Sequence, residues 1–155
     1  MVVRPTLVIG IGHLDRGDDA VGRVVADRLR RQEIGGVEVI ETDGDAAKLL
    51  DLMDGRDDVI IVDAGLSGAE PGAVHRLDAT AGPLPLPMFA TSSHAIGLSE
   101  SIELARALGT LPRRCLVIAI EAQRFDLGAG LSPAVAAVVD IVVRDLLAEL
   151  ASQPA

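Results

Sequence analysis

Short apolar runs alternate along the chain with stretches whose apolar residues recur at helical spacing, which predicts a mostly parallel sheet covered on both faces. Thr6 to Ile11 reads as a first strand. Residues 18 to 31 then place Val21, Val24, Val25 and Leu29 on one face of a helix, with Arg28, Arg30 and Arg31 at its negative end and Gly35 and Gly36 to stop it. Gly22, in the first helical turns, costs roughly 1 kcal/mol relative to Ala, so its position calls for a close neighbour. Val37 to Thr42 predicts the next strand, and Asp45 to about Met53 a short helix presenting Ala46, Leu49, Leu50 and Met53.

Val59 to Val62 is a continuous aliphatic run, as expected of a central strand buried on both faces. Ala73 to Asp78, interrupted by His75 and Arg76, fits an edge strand, with an antiparallel direction allowed and His75 solvated. Residues 81 to 97 carry Pro83, Pro85 and Pro87 and are too long for an idle link, which marks a functional loop. Ser99 to Leu108 predicts a helix ended by Gly109, and Leu116 to Ile120 another strand. Ser132 and Pro133 open a last helix, the serine accepting a free N–H at the cap; its apolar face is Val135, Val138, Val139, Val142 and Leu146. The expected architecture is α/β with three α/β/α layers, a mostly parallel twisted sheet of about five strands and one possible antiparallel edge strand. Residues 1–155 make one domain, with 151–155 a frayed tail.

Composition narrows the function. A net charge of −9 opposes binding to nucleic acid or anionic lipid and suits a cation or a basic partner. Phe89 and Phe125 are the only aromatic residues besides histidine, which removes the usual stacking platforms for bases or flavins. The single cysteine, Cys115, reads as a buried inert thiol rather than a nucleophile. Apolar runs are too short to span a membrane and the start shows no signal-peptide pattern, so the expectation is a cytoplasmic protein without membrane or nucleic-acid partners.

In an open α/β sheet, ligands bind beyond the carboxyl ends of the strands, and three segments there carry chemistry. In the first, Gly10-x-Gly12 hints at a dinucleotide loop, but the following helix opens with Asp18 and Asp19, which would repel a pyrophosphate. The bland reading has Asp18 capping that helix and Asp19 complementing its positive end. The second begins with Asp63, directly after the buried run, where a desolvated carboxylate needs a cation or donors; a turn or capping role stays open. The third carries Thr91, Ser92, Ser93 and His94. Two carboxylates and an imidazole on one edge, Asp19, Asp63 and His94, make a candidate site for a divalent metal such as nickel or zinc, with open positions for substrate or water.

Three ordered blocks resemble the signature of the hydrogenase maturation proteases: Gly10-x-Gly12 with Gly17-Asp18-Asp19-Ala20-Val21-Gly22, then Val62-Asp63-Ala64-Gly65, then Ser92-Ser93-His94-Ala95-Ile96-Gly97-Leu98. Similarity extends from about Leu7 to about Leu147. The resemblance implies an endopeptidase that removes a C-terminal extension from the large-subunit precursor of a nickel-iron hydrogenase after nickel insertion. The metal-contacting and catalytic positions carried over are Asp19, Asp63 and His94; nickel arrives on the substrate and no permanently bound cofactor is expected. Departures from the family pattern are His13 in place of Asn, Asp43-Gly44-Asp45 in place of Asp-Gly-Gly-Thr, and Ala119 and Ala122 flanking Ile120-Glu121. His13 is then an extra ligand, a group that orients a ligand, or a neutral exchange; Asp45 caps the next helix or tunes the acidic cleft. No HExxH motif or convincing Ser or Cys nucleophile appears. The competing readings are a flavodoxin-like nucleotide or flavin binding module, and a maturation chaperone that keeps the nickel check without cutting.

Overall fold

The computed structural model describes residues 4–89 and 96–152. Five strands, β1 (Thr6–Ile11), β2 (Val37–Thr42), β3 (Asp58–Gly65), β4 (Val74–Asp78) and β5 (Arg114–Glu121), form one sheet in the order β2-β1-β3-β5-β4. All neighbours are parallel except β4, which pairs antiparallel to β5 at the edge. Leu7, Val8, Ile9 and Val59 to Val62 are fully buried, because each strand shows apolar side chains to a helical layer on both sides.

Helices α1 (Val21–Arg31) and α4 (Pro133–Ala151) cover one face, packing Val21, Val25, Leu29, Val139 and Leu146 with Val8, Ile60, Val62 and Ile118. Helices α2 (Ala46–Met53) and α3 (Leu98–Leu108) cover the other, where Leu49, Met53 and Ile102 join Leu7, Ile9, Ile61 and Val117. No helix among the described residues is long and apolar enough to cross a membrane. Cys115 is fully buried in this second layer, and burial pushes its thiol up to about 12, as an inert core residue requires.

The three-layer α/β/α plan and the antiparallel edge strand agree with the expectation, and several local readings are corrected. The predicted helix over 18–31 divides into a tight 3₁₀ turn, Gly17–Ala20, and then α1. Asp18 does not cap that helix: its carboxylate is fully buried and accepts from the N–H groups of Gln123 (2.8 Å), Arg124 (3.1 Å) and Ser132 (2.7 Å) and from the Ser132 hydroxyl (2.8 Å). The same bond means that Ser132, at the start of α4, donates to Asp18 and does not accept a cap N–H. Asp45 does cap α2, taking the Lys48 N–H at 3.2 Å.

The proline-rich connection has a structural half that the pattern did not show. Because β4 runs antiparallel, the chain leaves it at the wrong end of the sheet, and Leu84, Met88 and Phe89 are buried in the α2/α3 layer as residues 79–89 return. A 3₁₀ turn, Leu86–Phe89, ends that return beside the exit of β3, where the Leu66 N–H donates to the Met88 carbonyl at 2.9 Å.

Helix α1 lies directly on the sheet. A Cβ on Gly22 would stand 2.2 Å from the Val62 carbonyl oxygen and 2.4 Å from that of Ile11, and one on Gly10 would stand 2.5 Å from the Ala26 Cβ. The close neighbour expected at Gly22 is therefore strand backbone. Gly22→Ala is expected to lift α1 and destabilise the fold by about 3 kcal/mol, the upper part of the usual overpacking range; urea denaturation with no loss in midpoint would refute this. Removing the buried Asp18 carboxylate as Asp18→Ala orphans its donors and is expected to cost about 3 kcal/mol by the same measurement.

Candidate functional site

The strand order reverses between β1 and β3: the chain leaves β1 towards β2 on one side and returns to β3 on the other. A crevice opens at such a point beyond the carboxyl ends of the strands. The β1 ladder with β3 stops at Gly10 opposite Val62, one residue before Asp63. Asp63 is not the first loop residue, as the sequence suggested, but lies inside β3 opposite Ala119, because β5 continues the ladder to Gly65. It thus faces the crevice from a strand held on one side only.

Asp19 reaches the crevice from the loop after β1. Gly12 adopts φ of +154°, donates its N–H to the Thr42 carbonyl at 3.0 Å, and approaches Asp19 so closely that a Cβ would stand 1.9 Å from the Asp19 carbonyl oxygen. Gly10-x-Gly12 therefore backs onto the chain itself and makes no cradle for a pyrophosphate. The Asp19 side chain, 11% exposed, accepts at Oδ2 from the His13 main-chain N–H (3.0 Å) and lies 2.8 Å from His13 Nδ1. Adjacent carboxylates thus divide their work: Asp18 turns into the body of the protein, and Asp19 stays at the crevice.

Asp63 is half-buried, and its carboxyl is held well above the ordinary value, first by burial and then by the negative charge of Asp19, against a smaller opposing effect of the Ala64 N–H. That N–H lies 2.8 Å from Asp63 Oδ1. The pair is therefore brought near enough for one carboxylate to burden the other. A divalent cation placed between them would relieve both the desolvation and the repulsion, so the donor chemistry fits such an ion.

His94, the third expected member, falls within residues 90–95 and so lies outside the described residues. The chain that leads to it is tied to the exit of β3, where a Cβ on Gly65 would stand 2.8 Å from Met88 Cγ. Among the described residues, no three or more His, Cys, Asp or Glu side chains gather as a metal-holding group.

Sequence reading missed a second polar cluster. Glu121, at the end of β5, is 1% exposed and accepts from the Ser67 N–H (2.8 Å) and hydroxyl (2.6 Å), with His75 Nε2 at 3.2 Å. Burial alone would raise its carboxyl, but the Ser67 bonds, His75 and the Gly68 N–H hold it below the ordinary value. His75 is accordingly not a merely solvated residue of β4; it helps anchor the loop after β3. The available signal was a lone carboxylate closing an otherwise apolar strand.

The family described as hydrogenase maturation protease, HycI, matches residues 23–149, a span that includes Asp63 and position 94 and begins just after Asp19. The chain belongs to the hydrogenase maturation protease family. As a member it is an enzyme, a peptidase of hydrogenase maturation. It is 28% identical over 149 residues to the Hydrogenase 2 maturation protease of Escherichia coli strain K12, covering 93% of this chain and 89% of that relative. The solution structure of an Escherichia coli endopeptidase superposes with a TM-score of 0.79 at 26% identity, over 94% of this chain and 91% of that one. The hydrogenase maturating endopeptidase HybD of Escherichia coli gives 0.74 at 25% identity, with the same coverages of 94% and 91%. The protease fold and its five-stranded sheet are thus shared along nearly the whole chain, and the nucleotide-module and non-catalytic chaperone readings give way.

The raised Asp63 carboxyl has a thermodynamic sign. A folded-state value above the unfolded one penalises the folded protein once the group ionises, so stability is fully present below about pH 4 and is lost as pH rises through the folded value. Asp63→Asn is therefore expected to stabilise the protease by about 0.5–2 kcal/mol at neutral pH, as relief of a strained functional site commonly does. The gain should vanish at about pH 4, near the unfolded value. Urea titrations at both pH values check it; a destabilised variant at neutral pH contradicts the burial and repulsion assigned to Asp63.

Proposed function

We propose that this protease removes the C-terminal extension of a nickel-iron hydrogenase large-subunit precursor after nickel insertion, and that it recognises the nickel carried by that substrate through Asp19, Asp63 and His94. The observation that carries this reading is that Asp19 and the partly desolvated Asp63 both stand at the switch-point crevice, where the charge of Asp19 helps to raise the Asp63 carboxyl, in a chain of the maturation protease family. Without a cation the two carboxylates repel each other. Nickel on the substrate would offset that repulsion, so a precursor still lacking it would dock less well.

Binding then does two things. Coordination of substrate nickel by side chains on the β1 and β3 segments fixes the precursor at the crevice and holds its scissile peptide near the ion, which converts a bimolecular encounter into an oriented one. The substrate's nickel can polarise a carbonyl or activate the attacking water, so the protein need supply no side-chain nucleophile. The nickel leaves with its own protein, and the reading includes no permanently held cofactor.

The surroundings suit a protein substrate. Loops at this end of the sheet expose Leu14 (58%), Leu66 (37%), Ile96 (45%) and Leu127 (76%), and the Gly128 N–H donates to the Asp15 carbonyl at 2.7 Å, joining the Leu127 loop to the Leu14 loop. Exposed apolar side chains grouped at one end of a protein mark a surface that receives another molecule.

Mass spectrometry of a large-subunit precursor, incubated with the protein in nickel-loaded and nickel-free forms, tests the proposal. The expected outcome is loss of a C-terminal peptide from the loaded form only. Asp19→Ala, Asp63→Ala and His94→Ala should each slow cleavage by about 10²-fold or more while the fold persists, since misplacement at the reacting centre costs on that scale. Retained cleavage in any two of these variants, or equal cleavage of both precursor forms, would defeat the assignment.

A further inference from the structure

His13 spends two donors on one oxygen. Its main-chain N–H lies 3.0 Å from Asp19 Oδ2 and its ring Nδ1 lies 2.8 Å from the same atom. An ionised carboxylate only accepts, so the ring proton facing it stands on Nδ1, and both lone pairs of Oδ2 are engaged. Among the described residues, none of the hydrogen bonds ends on Asp19 Oδ1. The arrangement is closed by the backbone, with the Arg16 N–H on the His13 carbonyl (3.2 Å) and the Asp19 N–H on the Arg16 carbonyl (3.1 Å).

We infer that His13 is a positioning residue that commits Oδ2 of Asp19 and presents Oδ1 alone to a divalent cation, so that Asp19 ligates through a single oxygen. The inference rests on the proposed metal contact of Asp19 and adds which oxygen makes it and what holds it there. Two-oxygen chelation would require Oδ2 to give up hydrogen bonds to a charged acceptor, which are among the stronger ones in a protein. One-oxygen ligation keeps them and leaves more coordination positions for donors that arrive with the substrate. The ring is 29% exposed and the Asp19 side chain 11%, so the imidazole stands at the rim and shields its partner from water. Groups that hold a metal ligand from behind in this way set its orientation and basicity.

The test titrates the metal-free full chain with Ni²⁺ alone by calorimetry and follows thermal melting in parallel. His13→Ala is expected to weaken Ni²⁺ uptake by about 10- to 100-fold, the usual effect of losing an outer partner of a ligand. His13→Asn, which keeps the main-chain N–H and offers a side-chain N–H, should stay close to the wild type. If His13→Ala melts before titration, His13→Phe replaces it, filling the ring volume without a donor. A donorless variant that binds Ni²⁺ like the wild type overturns the inference. So does a His13→Asn variant as weak as His13→Ala, which would make the imidazole itself a ligand, or a wild type that takes up no Ni²⁺ at millimolar concentration. Cleavage of nickel-loaded precursor by the same wild-type preparation separates the two claims: the expected affinity pattern without cleavage defeats only the proposed activity, and cleavage with unchanged affinity in His13→Ala defeats only the role of His13.

Discussion

Gly22 lets helix α1 rest directly on the carbonyl oxygens of Ile11 and Val62, and the candidate site takes its shape from that contact. A side chain at Gly22 or Gly10 would hold the helix away from the junction of β1 and β3. The loop that enters the helix would then no longer fold back on Gly12, and Asp19 would lose the short path to His13. Gly22 lowers intrinsic helix propensity, but the close backbone packing it permits is what sets a carboxylate at the open end of the sheet.

Two buried carboxylates stiffen the loops on either side of that crevice. Asp18 gathers the main-chain donors of Gln123, Arg124 and Ser132, joining the loop before α4 to the loop before α1. Glu121 does the same for Ser67 and His75 after β3. Both are fully supplied with donors, the condition under which a buried charge is tolerated. Asp63 stands in contrast: one N–H, desolvation and a neighbouring negative charge. An acid left so poorly compensated between two well-braced loops suits the role proposed for Asp63, a group whose partner arrives with the substrate.

The strand order adds a constraint on the remaining segment. Antiparallel β4 delivers the chain to the far end of the sheet, and the return through Leu84, Met88 and Phe89 brings it back beside Gly65 before α3 begins. The length that marked residues 81–97 as functional is thus partly explained by topology, since a chain that turns down one edge has to climb back across a face. Family membership shows the resulting plan to be that of a maturation peptidase.

Elements with a strong period were legible in the chain itself. The strand over Thr6–Ile11 and the central aliphatic run were visible because burial on both faces demands unbroken apolar sequence, and the half-buried edge strand over Val37–Thr42 because Val37, Val39 and Ile40 are β-branched. The ordered blocks around Asp19, Asp63 and His94 also marked the family, and the family comparison bears that out. Tertiary structure alone decided the hydrogen-bond partners. Asp18 looked like a local cap and proved to bind residues more than a hundred positions away, and His75 looked solvated and proved to meet Glu121 across the β4–β5 pair. Periodicity records which face of an element is apolar, whereas the partner of a polar group depends on where distant backbone arrives in space, and no local pattern encodes that distance.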